Sequence, residues 1–154
     1  MTEERHELST TRLIDAPRDA VWRGFAERLG DWWAPRPWRV EVVEQDLRAG
    51  GRFATTMHGP DGEVSPGEGV FLEVVPGERV VFTDAFGFEW VPQKPFMVGT
   101  LIFADEGTGT RYTGIARHWD AESAARHEAM GFHEGWGAVA AQLEEVAREI
   151  ARGR

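Results

Sequence analysis

The sequence predicts an α+β fold in which a curved antiparallel sheet wraps one long carboxy-terminal helix. Three observations carry this. Between Gly131 and Ile150, the residues Phe132, Trp136, Val139, Leu143, Val146 and Ile150 recur at steps of four and three, which sets all of them on one stripe of a helix. Most of the chain before that stretch reads as short strands punctuated by glycine and proline turns. These strands follow one another instead of alternating with helices, which argues against a parallel α/β sheet. A single helix closing a β-rich chain needs a sheet that curls around it, and the space between the two becomes the functional question.

Residues 8–14 alternate polar and apolar side chains and read as a first strand. Asp15-Ala-Pro17 starts a helix, with Asp15 or Ala16 at the cap, Pro17 at the first helical position, and Val21, Trp22 and Phe25 on the apolar face. Gly30 ends it, and Asp31-Trp-Trp33 forms a second, shorter helix that Pro35 and Pro37 stop. Residues 40–44 and 52–58 are strands joined through Arg48-Ala-Gly-Gly51, whose glycines permit positive φ. Residues 69–75 and 79–84 are joined by Pro76-Gly77, and 96–104 and 110–118 by Asp105-Glu-Gly-Thr-Gly109. Residues 86–95 form a longer connection carrying Trp90, and Asp120 caps the terminal helical region. The sum is about seven strands, two short helices after the first strand and one long helix last. No internal repeat or linker divides the chain, so 1–154 reads as a single domain.

The net charge is −9 and the arginines are scattered, so nucleic acid is not an expected partner, because phosphate binding needs a basic face. The chain has no cysteine, which excludes disulfides, thiolate nucleophiles and cysteine-ligated metals. No apolar run approaches the roughly 20 residues that span a bilayer, and Met1-Thr-Glu-Glu-Arg-His-Glu7 is unlike a secretory signal. A cytoplasmic location is the expectation. Seven tryptophans against one tyrosine supply unusually much large apolar surface, most of it core filling.

Catalytic patterns are few. His127-Glu-Ala-Met-Gly131 begins like a zinc-protease helix, but Gly131 stands where the second histidine would be. On a continuous helix His127 and His133 lie roughly 120° apart, too divergent to chelate one ion. Arg48-Ala-Gly-Gly51 leads into a strand and is a hairpin rather than a phosphate cradle. No metal or cofactor is expected.

Six short motifs, in order, carry a resemblance. They are Asp15-Ala-Pro-Arg-Asp-Ala-Val-Trp22, Asp31-Trp-Trp33, Asp46-Leu-Arg-Ala-Gly-Gly-Arg-Phe53, Pro76-Gly-Glu-Arg-Val-Val-Phe-Thr83, Gly109-Thr-Arg-Tyr-Thr113 and Gly131-Phe-His-Glu-Gly-Trp136. With these the chain resembles the START-like (SRPBCC) superfamily, and within it the group named after the activator of the heat-shock-protein-ninety ATPase. The resemblance covers nearly the whole chain. It implies a helix-grip (START-like, birch-pollen-allergen-like) fold enclosing an apolar cavity, but no particular reaction. That superfamily holds lipid carriers, hormone receptors and polyketide aromatase/cyclases alike.

Strand alternation under this pattern puts Phe53, Thr55 and Met57 on one face, with Met97, Gly99, Leu101 and Phe103, and Tyr112, Gly114, Ala116 and His118, on the matching faces of later strands. Gly99, Gly114 and Ala116 among aromatics leave missing volume, which either repacks or encloses a cavity. His118 is the polar group expected to reach it. His133 is expected at the rim with Glu134 in solvent, and Arg48 either meets an anionic ligand at the mouth or pairs with a surface carboxylate. Tyr112 and His118 stand too far apart along one strand to form a direct proton-transfer couple.

The leading expectation is a binding protein for an apolar or aromatic small molecule, with Trp38, Phe53, Met57, Met97, Tyr112, His118, Phe132 and Trp136 lining the site. A polyketide cyclase- or hydrolase-like enzyme using the same cavity is the alternative from another class, and needs at least two converging polar groups. A chaperone-activator-like interaction module is the third, and needs an exposed patch outside the cavity; nothing in the sequence supports a chaperone partner directly. The oligomeric state is unset, so a homodimer stays open.

Overall fold

A computed structural model describes residues 6–153; residues 1–5 of the amino-terminal stretch read for a signal lie outside the described residues. The strands are β1 (His6–Ile14), β2 (Arg39–Gln45), β3 (Arg52–His58), β4 (Val64–Val75), β5 (Arg79–Thr83), β6 (Val98–Glu106) and β7 (Gly109–His118). They form one antiparallel sheet in the order β1-β7-β6-β5-β4-β3-β2. Consecutive hairpins build β2 to β7, and the first strand then closes against the last, with His6 opposite His118 and Ile14 opposite Thr110. Register shifts between Val42 and Glu44 and between Phe71 and Glu73 bend the sheet, since an extra residue on one strand sharpens local twist.

The helices are α1 (Arg18–Arg28), α2 (Ala121–Ala129) and α3 (Phe132–Ala151). Three details differ from the sequence expectation. Pro17 is itself the extended cap residue of α1, so Arg18 is first in the helix, and the Asp15 N–H donates to Glu144 Oε2 on α3 at 2.7 Å. The second short helix is only a 3₁₀ turn at Leu29–Asp31, and Trp32 and Trp33 follow it. The terminal helical region is two helices: Asp120 caps α2 by accepting from the Ser123 N–H at 2.7 Å, and Gly131 at φ +95° separates α2 from α3. Only glycine adopts that conformation cheaply, which is why the chain can turn there.

α3 lies in the concave face of the sheet with α1 across it. Phe132, Leu143, Val146 and Ile150 of its stripe are buried, while Trp136 and Val139 are only partly covered. Behind them α1 approaches α3 so closely that a Cβ on Gly24 would sit 2.8 Å from Leu143 Cδ1. At the centre Phe25 is fully buried and meets Trp22, Trp32, Trp33, Phe53, Phe71 and Phe103 within 6.5 Å of ring centroids. Such tilted and edge-on pairs are favoured by the ring quadrupole and add to the free energy of apolar burial. Among the described residues no helix is long and apolar enough to cross a membrane.

Candidate functional site

The missing volume foreseen at two glycines is filled from elsewhere. Phe82 lies opposite Gly99 across the β5–β6 pair, and a Cβ on Gly99 would come within 2.3 Å of its ring. Trp136 of α3 covers Gly114 in the same way, at 3.0 Å from where a Cβ would stand. Room is left instead beside these two aromatics. A cavity of about 210 Å³ is lined by Trp33, Pro35, Met57, Phe82, Met97, Leu101, Tyr112, Gly135, Trp136 and Val139. It borders a hollow of about 200 Å³ that shares Trp33, Met57, Phe82 and Met97 and adds Phe53, Thr55, Glu68 and Asp84. A third hollow of about 430 Å³ shares Pro35, Met57 and Trp136 and adds Trp38, His127, Met130 and Phe132.

Local chemistry fixes the walls. Gln142 of α3 donates from Nε2 to the carbonyls of Trp32 (3.2 Å) and Ala34 (2.9 Å) and accepts the Arg36 N–H at Oε1 (3.0 Å). Trp32 Nε1 also donates to the Gly24 carbonyl at 3.0 Å, so the segment carrying Trp33 and Pro35 is tied to two helices. The other wall is set by Asp84, whose Oδ1 accepts the N–H groups of Phe96 (2.9 Å) and Met97 (3.2 Å), and by the Thr83 hydroxyl, which donates to the Met97 carbonyl at 2.9 Å. Met97 precedes β6 but is thereby held over the cavity. At the rim of the second hollow Arg52 hydrogen-bonds Glu68 at 2.7 Å; that bond, aided by the Phe88 N–H, holds the Glu68 carboxyl below its usual range.

Polar groups facing the cavity are scarce. Tyr112 has no hydrogen-bond partner among the described residues, and burial pushes its phenol far up, so it stays protonated and able to donate. Of the residues expected to line a site, Met57, Met97, Tyr112 and Trp136 come together around the central cavity. Phe53 stands at the second hollow, and Trp38 and Phe132 at the third.

His118 lines none of these three. Its Nδ1 is 3.0 Å from the His6 carbonyl and its Nε2 is 2.9 Å from His127 Nδ1, so its ring is spent on β1 and α2. The histidine that reaches a hollow is His127, which the sequence marks only as half of a failed zinc motif. Its burial and the neighbouring His118 push its pKa down to about 4. The signal for it was the short Trp119-Asp120 connection, which folds the next helix back onto the end of β7. His133 is exposed and pairs with Glu128 at 3.1 Å across the α2–α3 break, so the continuous-helix geometry does not apply. Arg48 pairs with Asp46 at 2.7 Å. Trp33, Phe82, Leu101 and Val139 were also absent from the expected lining, although Leu101 and Val139 already stood on inward faces.

A further hollow of about 480 Å³ is lined by charged groups of α1, α3 and the loop after α1, among them Arg148 and Arg152. Arg28 there pairs with Asp31 and Glu149 at 2.8 Å each, and Arg36 pairs with Glu145.

Comparison with known proteins places this geometry. Residues 15–148 match the family described as Activator of Hsp90 ATPase homolog 1-like protein. A crystal structure from Nitrosomonas europaea is 39% identical, covering 93% of this chain and 94% of that one, with a TM-score of 0.89. A protein of Mycobacterium smegmatis is 29% identical over 91% of this chain and 89% of its own, at a TM-score of 0.77. A solution structure from Arthrobacter aurescens is 26% identical over 93% and 86%, at 0.81. No curated protein matches the chain.

Proposed function

The chain belongs to the Activator of Hsp90 ATPase homolog 1-like family, and from that premise we propose that it binds an apolar, aromatic small molecule between sheet and terminal helix. Membership supports a ligand-binding or interaction module, and the fold alone chooses neither. The observation that carries the choice is the central cavity of about 210 Å³, walled by Trp33, Met57, Phe82, Met97, Leu101 and Trp136 with the Tyr112 hydroxyl as its unpartnered polar group. Such a site takes its affinity from apolar burial and its orientation from one hydrogen bond. The two methionines add adaptable, polarisable contacts against aromatic rings.

The test is quenching of tryptophan fluorescence by a naphthalene-type probe in the wild type and in Val139→Phe. Val139 is partly covered on α3, so a larger ring there intrudes on the cavity without opening the fully buried core. Binding should weaken at least tenfold while the thermal midpoint stays within a few degrees. Equal binding by both proteins would place the probe elsewhere and sink the proposal.

A further inference from the structure

The two histidines at the junction of β1, β7 and α2 form a directed chain. The His6 carbonyl can only accept, so His118 Nδ1, at 3.0 Å, carries the hydrogen. In the uncharged ring His118 Nε2 is then an acceptor, and the hydrogen in the 2.9 Å contact belongs to His127 Nδ1. His127 Nε2 is left with a free lone pair and no partner among the described residues. It is not sealed in the core either: the one fully buried, unpartnered side-chain polar atom among those residues is Thr100 Oγ1. His127, 8% exposed, lines the hollow of about 430 Å³ together with Trp38, Met57, Phe132 and Trp136.

We infer that His127 Nε2 is the recognition point for a hydroxyl-bearing aromatic ligand, a phenol or an enol, and that His118 is a positioning residue that fixes its tautomer. The lone pair selects a hydrogen-bond donor, whereas an ether or a carbonyl in the same place leaves it unpaired, a loss that discriminates strongly in a buried site. The surrounding rings select an aromatic body. Phe96, Phe132 and Trp136 stand 4.8, 5.2 and 6.1 Å from the imidazole, and Trp136 and Met57 also line the central cavity. A ligand can therefore lie in the cavity with its hydroxyl at His127. His127 is held uncharged at neutral pH by its burial and by His118, which keeps the lone pair available. Of the other titratable groups nearby, His118 faces it from β7, and Glu128 of α2 is taken up by His133.

This inference rests on the cavity reading above and is tested with 2-naphthol and its methyl ether, titrated by NMR into the full chain. The wild type should bind the naphthol at least fivefold tighter than the ether, and His127→Phe should erase that ratio while still binding the ether. Equal binding of both probes by the wild type overturns the inference and leaves the cavity reading standing. Binding of neither overturns both. Imidazole nitrogen shifts give a readout without any substitution: His127 should carry its proton on Nδ1, and a proton on Nε2 overturns the inference. In His118→Phe, which keeps a ring but removes the acceptor facing His127 Nδ1, the preference for the naphthol should fall together with a change in that tautomer; an unchanged tautomer and ratio would strip His118 of its role.

Discussion

Gly99 and Gly114 show how a missing side chain is used in this sheet. At each, a ring from another element occupies the space a Cβ would need, Phe82 in one case and Trp136 in the other. Because close-packed interiors tolerate neither voids nor overlap, these glycines set where the two aromatics stand, and hence where the cavity walls run. His127 makes the residue-scale argument for pH. The folded state keeps it neutral down to about pH 4, whereas its ordinary value is 6.5. Between those values the unfolded chain binds the extra proton, so stability is full above about pH 6.5 and falls as the solution is acidified. Each pH unit in that window costs at most about 1.4 kcal/mol. Urea midpoints at pH 7 and pH 5 should therefore drop by up to about 2 kcal/mol more in the wild type than in His127→Phe; parallel drops would show that the buried histidine is not the sensor.

At the scale of elements, α3 has two halves with separate tasks. Its later residues pack on α1 through the Gly24–Leu143 approach, and Phe132, Trp136 and Val139 wall the open space. Between the halves sits Gln142, a buried polar side chain whose three hydrogen bonds tie the 32–36 segment to the helix. Gln142→Leu keeps the size but leaves the Trp32 and Ala34 carbonyls and the Arg36 N–H without that partner. A loss of about 2–4 kcal/mol is expected from unmade bonds to covered backbone groups. Chemical denaturation measures it; a loss under about 0.5 kcal/mol would mean that water replaces the amide freely. Because the same segment carries Trp33 and Pro35, the variant should also loosen one cavity wall.

For the whole molecule, a sheet closed at one side by β1 on β7 and bent by two irregular pairings cannot bury its concave face by itself, so α3 and α1 complete the core. Aromatic side chains of the 32–33 segment and of the sheet pack densely on Phe25 of α1, and packing is looser around Met57, which borders all three hollows. A ligand seated there is linked to folding by mass action. At a free concentration one hundred times Kd, 2-naphthol should raise the unfolding free energy by about 2.7 kcal/mol with an unchanged denaturant slope. No rise in the thermal midpoint at that occupancy would show that the probe binds folded and unfolded chains alike.

The sequence by itself determined the architecture. The stripe from Phe132 to Ile150, the hairpin glycines at 50 and 51 and the consecutive strands are local patterns, and local sterics and periodicity read them directly. It also named Met57, Met97, Tyr112 and Trp136, because strand alternation and helix spacing give the inward face. Only the tertiary structure decided what the inward faces do to one another. Phe82 fills the space above Gly99 through cross-strand register, Trp136 covers Gly114 from a helix, and the chain's return at Asp120 sets His127 against His118 and beside the third hollow. Those outcomes depend on contacts between residues far apart in sequence or across a turn, and a one-dimensional pattern carries no distance between them.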